Sequence, residues 1–266
     1  MRLRELKPSV SQALGIGLLS SLVFYAVMAP ALSSVDASAQ NLSHILAAPM
    51  AEHWLGTDHF GRDMWVRLAD ALQRSMTMAL LCVATAAFLG VSLGVAAAIG
   101  PKWLDRLLDG LTTLILALPG LVLVLLFAAI SPGSFWMLYL AISLIQWIEY
   151  FRVTRVITQR LAHSPEVEAS RLLGFGQWYR FKRHFWPAIA PQLMTLAAFG
   201  AANAILMMAA LGFVYVGIQP PTAELGLMIV EHFPYYSDAP WLLVQPLIAL
   251  ALLILSFHLI GGRGES

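Results

Sequence analysis

The stretch that decides the fold is His163–Pro191, HSPEVEASRLLGFGQWYRFKRHFWPAIAP, the longest charged island in an otherwise apolar chain. Ser164 can cap a helix, and Pro165 suits its first position. Glu166 and Glu168 follow in the first turn, where the helix dipole favours anions. Two glycines and a basic limb then lead to the proline that opens the next apolar run: Gly174, Gly176, Arg180, Lys182, Arg183, His184 and Pro187. Each charge would cost roughly 2.5–3.5 kcal/mol in a lipid core, so the charged island must stand in water and be available for docking.

The composition around the island is that of an integral membrane protein. The chain has 266 residues, of which 59% are hydrophobic and 12% charged, whereas soluble domains carry about 25% charged residues. The formal net charge of +1 indicates no strong preference for polyanions. The single cysteine, Cys82, lies in an apolar run and therefore predicts neither a disulfide framework nor a cysteine metal cluster.

Six apolar runs predict six membrane-spanning helices and an all-α fold. They cover residues 10–32, 75–99, 107–130, 135–151, 187–216 and 241–260. The first run follows three basic residues, as in a signal peptide, but it is too long and lacks a convincing cleavage site, so we predict an uncleaved first span. A kink is expected at Pro119-Gly120 in the third span. Gly90 and Gly94 have the GxxxG spacing of close helix packing.

The distribution of basic residues predicts the orientation. With both termini in the cytoplasm, 13 of the 16 Lys and Arg residues fall on the inner side, including Arg2, Arg4, Lys7 and Arg263. The predicted organisation is an N-terminal tail with the first helix (1–32), an outer loop with an amphipathic helix (33–74), and a five-helix core (75–266). The core carries a loop on its cytoplasmic side at residues 152–186, which contains most of the charged island.

The charged island resembles the EAA loop of permease subunits in ATP-binding-cassette (ABC) importers, the element that couples the permease to an ATPase. Five residues fall at the spacings of that motif: Glu168, Ala169, Ser170, Gly174 and Pro187. Ser170 departs from the second alanine, His184 replaces an isoleucine, and Trp186 replaces a leucine. Arg183-His184 before the proline is similar to the peptide and nickel branch. The alternative interpretation is an ordinary cytoplasmic loop that contains a helix.

The outer loop carries a second resemblance, in the string HWLGTDHFGRD at residues 53–63. It is similar to the Leu-Gly-Thr-Asp-x-x-Gly-Arg-Asp signature of the second permease subunit of dipeptide, oligopeptide and nickel importers. Its matching residues are Gly56, Thr57, Asp58, Gly61, Arg62 and Asp63. We expect Thr57 or Asp58 to cap a helix that continues towards the second span. The favoured interpretation is a helix on the outer face pinned by Asp58, Arg62 and Asp63. The alternative is a contact surface for a substrate-binding protein.

Three histidines share this outer loop: His44, His53 and His59. Imidazoles are common ligands of transition metals. Neither a carboxylate nor a cysteine completes a standard ligand spacing, and solvated loop histidines are the simpler interpretation. We therefore predict no metal site.

Two further strings resemble nickel and peptide permeases. Residues 147–155, WIEYFRVTR, close the fourth span, where an interfacial aromatic and basic anchor with a Glu149–Arg152 pair is the favoured interpretation. Residues 217–226, GIQPPTAELG, are similar to the outer re-entrant stretch of nickel-type members, with Thr222 expected to cap a short helix; a hairpin without a ligand role is the alternative. Candidate pathway residues are Met207, Met208 and Glu224, although methionines in such helices are more often packing residues.

The resemblance implies a type I ABC importer permease fold and a function in a bacterial inner membrane. The chain would move nickel, free or chelated, or di- and oligopeptides into the cytoplasm by alternating access. Expected partners are a second homologous permease, two ATP-binding subunits and a periplasmic or lipid-anchored binding protein, with no nucleic acid. The sequence has no phosphate-binding loop and no H-E-x-x-H or G-x-S-x-G motif. We therefore expect no catalytic residue and no cofactor here, with ATP and Mg on the partner subunits. The alternative is a membrane scaffold or an intramembrane enzyme.

Overall fold

The computed structural model describes residues 9–33 and 35–262, and in these ranges the chain is built from helices, with one isolated β-bridge between Thr57 and Asp63. The all-α class is therefore confirmed. The helices are α1 Val10–Leu32, α2 Met64–Ile99, α3 Lys102–Leu116, α4 Gly120–Ile130, α5 Phe135–Ala162, α6 Pro165–Leu172, α7 Gln177–Arg180, α8 Trp186–Phe213, α9 Leu225–His232 and α10 Pro240–Gly261. Four basic residues used for the orientation lie outside the described residues: Arg2, Arg4, Lys7 and Arg263.

Four of the described helical segments are long and apolar enough to cross a membrane: α1, α2, α10 and the continuous stretch Gln177–Phe213. The pair α3 and α4 makes a fifth if it counts as one span, although it bends by 81°. The fourth predicted span starts with α5 at Phe135, but α5 continues 11 residues beyond the predicted end at 151, and its 28 residues extend over about 42 Å at 1.5 Å per residue. Gln146, Glu149 and Arg152 make α5 less apolar than the others, so six spans stay a prediction.

The helix α2 is longer than the predicted span, which began at residue 75. Met64, Leu68 and Leu72 recur at helical spacing and are buried, which stabilises three turns outside the apolar run. The Asp63 carboxylate accepts hydrogen bonds from the backbone N–H groups of Trp65 and Val66. The prediction that Thr57 or Asp58 caps this helix was wrong, and the outer amphipathic helix is the beginning of α2.

The fifth predicted span also begins earlier than expected, because Pro187 does not start the helix. A π-helical turn at Phe181–Phe185 joins α7 to α8, with the Trp186 N–H donating to the Phe181 carbonyl. Proline lacks an N–H and its ring crowds the preceding turn, and such a widened turn accommodates both effects. The basic limb Arg180–His184 is therefore helical.

The core depends on glycines that bring α2 and α5 together. A Cβ atom built on Gly90 would overlap the Tyr150 Cβ, and one on Gly94 would lie 2.9 Å from the Phe151 carbonyl oxygen. The GxxxG interpretation as helix packing is therefore confirmed. In α5, Trp147, Tyr150 and Phe151 are buried in this interface, so the prediction that 147–155 is an interfacial anchor was wrong.

The outer loop and the charged island lie at opposite ends of the helix bundle. The outer loop leads into α2 at Met64, and Ile99 at the far end of α2 lines a cleft with Val167 and Gln177 of the island. The 36 residues of α2 extend over about 54 Å, enough to separate two aqueous phases across a bilayer.

Candidate functional site

The helix α6 of the charged island forms as its sequence predicts. The Ser164 side chain accepts from the Val167 N–H, Pro165 occupies the first turn, and Glu166 and Glu168 lie at the positive end of the dipole. Each of the two glutamates contributes about 0.3–1 kcal/mol when exposed at such a position.

Gly174 ends α6 in the left-handed conformation, with φ of +78°. The Gly174 N–H donates to the Arg171 carbonyl at 3.1 Å, and the Phe175 N–H donates to the Ser170 carbonyl at 3.0 Å. This is the Schellman arrangement, which favours glycine at this position. Among the described residues, no atom lies within 4 Å of a Cβ built on Gly174. The backbone conformation, and not a clash, therefore restricts this residue.

Two departures from the family pattern contact each other. The Ser170 Oγ and the His184 Nε2 are hydrogen-bonded at 2.9 Å, joining the middle of α6 to the π-helical turn. Val167 on the same face of α6 packs into a cluster with Phe185 and Ile189. Sequence reasoning identified both substitutions but missed their contact, because 14 positions separate them.

The island presents an apolar surface to solvent at this end of the molecule. Leu172, Leu173 and Trp178 are 88%, 75% and 74% exposed. Exposed large apolar side chains on a charged loop are typical of a protein contact surface. Trp178 also lines a groove with Val91 and Val95 of α2. The remaining predicted coupling residues Ala169, Arg183 and Pro187 are exposed as well.

The end of α5 nearest the charged island is tied to α3 by a different pair from the one predicted. Arg155 donates to the carboxylates of Asp105 at 2.8 Å and Asp109 at 3.0 Å. Among the described residues, Glu149 and Arg152 form no ion pair, so the Glu149–Arg152 prediction was wrong.

At the opposite end lies the outer charge cluster, which we define as Asp58, Arg62, Arg67 and Glu231. All four side chains are at most 9% exposed, and their formal charges cancel. The Arg62 Nε lies 2.5 Å from the Asp58 Oδ2, and the Arg67 Nη2 lies 3.4 Å from the Glu231 Oε2. Arg67 also donates to the carbonyls of Ala37 and Pro221, each at 3.1 Å. Sequence reasoning missed Arg67 and Glu231.

The charges in this cluster control one another's protonation. Burial alone would raise the pKa of Asp58, but the Arg62 N–H and the guanidinium groups of Arg62 and Arg67 outweigh it and lower that pKa. Burial, and next the charge of Arg62, lower the pKa of Arg67 from its very high ordinary value. Paired in this way, the cluster connects α2, the outer loop and α9.

The outer signature residues are internal supports of the loop. Gly56 and Gly61 have φ of +78° and +70°, and a Cβ on Gly61 would clash with the Asn41 carbonyl oxygen. The Thr57 Oγ1 donates to the His44 carbonyl and accepts from the Ala47 N–H. Burial of Thr57 and Asp58 supports the structural interpretation of the signature over a contact surface.

The outer-loop histidines do not converge as one ligand set. His53 bonds to Asp63 at 2.7 Å, while His59 stacks on Tyr235 and lies near His232. Asp58, His59 and His232 place ligand atoms within 4.8 Å of one another. The Asp58 oxygens are occupied by Arg62 and backbone N–H groups, which makes this group a poor cation site.

Glu224 begins α9 and is buried against α8. It accepts from the N–H groups of Gly226 at 3.0 Å and Leu227 at 2.8 Å, so the prediction that Thr222 caps this helix was wrong. A Cβ on Gly212 would clash with the Glu224 Oε2. Burial raises the pKa of Glu224 to about 7, outweighing the two hydrogen bonds.

The candidate pathway residues do not form one site. Met208 is 1% exposed in a core cluster with Met78 and Leu138, so it lines no cleft in this conformation, and its pathway role stays a prediction. Met207 is half-buried at a surface cleft, whereas Glu224 caps α9.

The raised pKa of Glu224 predicts a pH-dependent stability. The folded state favours the protonated acid, so this contribution is fully present below about pH 4.5 and is lost as the pH rises through about 7. The unfolding free energy of the wild type minus that of Glu224→Gln should fall on the order of 3 kcal/mol between these pH values. His59 and His232 titrate in both proteins and cancel in this difference. A difference that is constant with pH would contradict the prediction.

The comparisons with known proteins agree with this architecture. The family model described as binding-protein-dependent transport system inner membrane component matches residues 90–263. The dipeptide transport system permease protein DppC of Alkalihalophilus pseudofirmus is 30% identical over 258 residues, 97% of this chain and 85% of the relative. The probable D,D-dipeptide transport system permease protein DdpC of Escherichia coli is 31% identical over 88% of this chain and 79% of its own length.

Two further similarities concern a nickel system and a solved structure. The nickel transport system permease protein NikC of Escherichia coli is 30% identical over 85% of this chain and 82% of its own length. A chain of the MetNI methionine ABC transporter, solved in inward-facing conformations, superposes with a TM-score of 0.55 at 17% identity, covering 74% of this chain and 94% of that chain. The likeness confirms the ABC importer permease fold. The chain belongs to the family of binding-protein-dependent transport system inner membrane components.

Proposed function

We propose that this chain is the second permease subunit of an ABC importer that moves di- or oligopeptides, or nickel in free or chelated form, into the cytoplasm. Its relatives named above serve dipeptide, D,D-dipeptide and nickel transport systems. The proposal extends their named substrates to this chain. Among the described residues no observation favours a scaffold or an intramembrane enzyme.

The observation that carries the proposal is the charged island, with its apolar surface exposed at one end of the bundle. Leu172, Leu173 and Trp178 would enter a cleft of an ATPase subunit. Movement of α6 would pass to α8 through the Ser170–His184 hydrogen bond and to α5 through the packing around Val167. Coupling is then mechanical, and no residue of this chain carries out covalent chemistry.

The same proposal supplies the partners. A second homologous permease would complete the pathway, two ATPase subunits would bind ATP and Mg, and a periplasmic or lipid-anchored binding protein would deliver the substrate to the outer loop. The island would then face the cytoplasm of a bacterial cell, with the outer loop on the far side of the inner membrane.

Copurification tests this assignment directly. The chain alone is expected to hydrolyse no ATP, because its sequence has no phosphate-binding loop. Co-expressed with its neighbouring genes, it should copurify with ATPase subunits, whose hydrolysis rises with either a dipeptide or Ni²⁺ once the binding protein is added. ATP hydrolysis by the isolated chain, with contaminants excluded, would contradict the proposal that only the partner subunits hydrolyse ATP.

Cysteine labelling tests the orientation. Ala48→Cys and Gln177→Cys are exposed positions at opposite ends of the bundle, and Cys82→Ser removes the buried native thiol. In intact spheroplasts an impermeant thiol reagent should label residue 48 and leave residue 177 unlabelled until the membrane is opened. Labelling of both positions in intact spheroplasts would refute the predicted topology.

A further inference from the structure

A small cleft that contains three polar side chains lies on the surface where α5 and α8 meet. It is lined by Ile142, Ile145, Gln146, Glu149, Asn203 and Met207. Its enclosed volume is about 20 Å³, which holds one group of the size of a water molecule. Glu149 and Asn203 are exposed, whereas Gln146 is only 7% exposed.

The polar groups of the cleft lie deep in the apolar part of the bundle. At 1.5 Å per residue, Gln146 lies about 16 Å from the start of α5, and Asn203 lies about 15 Å from the end of α8. Both helix ends belong to the outer side of the bundle, where Gly133 and Gln219 are neighbours. Glu149 lies about 5 Å further towards the charged island. In a hydrocarbon layer about 30 Å thick, all three are inside it.

An exposed carboxylate at this depth cannot face lipid without a large cost. The sequences of α1, α4, α8, α10 and residues 75–99 of α2 contain no Asp, Glu, Lys or Arg, and the one such residue in the predicted third span, Asp109, is paired with Arg155, so the unpaired Glu149 is exceptional among the described residues. Within the described ranges Glu149 has no ion-pair partner. Arg155 on the same helix pairs instead with Asp105 and Asp109. An ionised side chain facing lipid would cost roughly 2.5–3.5 kcal/mol, so Glu149 must face protein or water in the assembled transporter.

Gln146 provides an independent indication of a ligand. In the part of the chain that the structure describes, its Nε2 and Oε1 atoms are both buried and without a hydrogen-bond partner. A buried amide left in this state costs about 1–3 kcal/mol. Gly200 makes room for it, since a Cβ there would clash with the Gln146 Nε2. The amide therefore lines the cleft with its hydrogen-bonding capacity unused.

We infer that Glu149, Gln146 and Asn203 form a binding step on the translocation pathway for the cationic group of the substrate. One carboxylate and two amide oxygens are suited to a protonated amine or to a divalent metal ion that exchanges water ligands for these oxygens. The cleft admits one such group, and the rest of a peptide would lie in the space between the two permeases. This inference rests on the proposed function, and it assigns Glu149 to the specificity of that function.

Thiol labelling tests whether the cleft lies on an aqueous pathway. In the assembled transporter with Cys82→Ser, Glu149→Cys should react with a charged, lipid-insoluble thiosulfonate, at least about tenfold faster than Leu80→Cys. Leu80 is the control because it is an exposed residue of α2 whose neighbours in the groove that it lines are apolar. If Glu149→Cys reacts as slowly as Leu80→Cys, residue 149 lies in a dry contact and the inference is overturned.

Uptake measurements identify the cation. Glu149→Gln should lower uptake of either a dipeptide with a free amino terminus or Ni²⁺ by about tenfold, and Asn203→Ala should lower uptake of the same substrate. Leu80→Ala, which changes the apolar face of α2 away from the cleft, should leave uptake unchanged. Loss of the second permease on copurification of Glu149→Gln would instead assign an interface role and overturn the inference.

These experiments distinguish a failure of the proposed function from a failure of the cation-binding step at Glu149. If the wild-type transporter takes up neither probe, the proposed function fails and the inference falls with it. If the wild type takes up a probe and both cleft variants match it, the inference alone is overturned.

Discussion

Arg67→Ala should destabilise the protein by about 3–5 kcal/mol, the usual cost of removing one partner from a buried ion pair. Arg67 is fully buried and faces both Asp58 and Glu231. Without Arg67, the carboxylates of Asp58 and Glu231 face a single guanidinium, that of Arg62. The backbone carbonyls that accept hydrogen bonds from Arg67 also lose their donor. The measurement is the free energy of unfolding in mixed detergent micelles.

The same helix offers a matched control in Arg74. Its side chain is 39% exposed and pairs with Asp70 one turn away at 3.1 Å. Exposed pairs of this kind contribute about 0–1 kcal/mol, so Arg74→Ala should change stability little. The double variant Arg67→Met with Glu231→Gln should recover part of the loss, because it removes both charges together. Equal effects of Arg67→Ala and Arg74→Ala would refute a structural role for the cluster.

This cluster also shows where sequence reasoning reaches its limit. Arg67 and Glu231 are 164 positions apart, and no periodic pattern connects them. Their pairing depends on how α9 folds back over the start of α2. Asp58 and Arg62 were identified because they belong to the outer-loop signature. Arg67 lies outside that signature, and nothing in the sequence predicted its burial, because charged residues are rarely fully buried.

Some local signals, in contrast, were interpreted correctly from the sequence, although the predicted caps at Thr57 or Asp58 and at Thr222 were wrong. The bounds of α1 match the first predicted span, because a long apolar run between polar segments fixes both ends. The cap at Ser164 and the turn at Gly174 depend on adjacent residues and were predicted correctly. The start of α8 at Trp186 lies one residue from the predicted start, but the π-helical turn before it was not predicted, since it has no recognisable sequence pattern. Nor does any sequence rule pair Ser170 with His184.

Contacts across the bundle explain the cleft at Glu149 in the same way. The sequence placed Glu149 at i, i+3 from Arg152 and therefore favoured a pair. The structure instead brings Asn203 of α8 beside Glu149. This arrangement depends on the packing of α5 against α8 through Gly200.

Gly174→Asp should abolish coupled transport while leaving membrane insertion intact. Aspartate, like asparagine, tolerates the left-handed conformation better than other residues that replace glycine, so the backbone costs at most about 1–2 kcal/mol. The new carboxylate would also stand beside Leu172 and Leu173, and docking would bury it without a partner, at a further cost of several kcal/mol. Uptake should fall at least about tenfold, with the ATPase either lost on copurification or hydrolysing without transport.

Two further variants distinguish the effect of the backbone conformation at residue 174 from the effect of the added charge. Gly174→Asn tolerates the left-handed conformation without adding charge, so it should keep most of the uptake. Gly176→Asp adds the same charge at a position with φ of −64°, where it can cap α7. If Gly176→Asp abolishes uptake equally, the loss is caused by the added charge on the docking surface and not by the left-handed turn at Gly174. If Gly174→Asp and Glu168→Lys both transport normally with the ATPase bound, the island is an ordinary loop, and the mechanical coupling proposed for α6 fails.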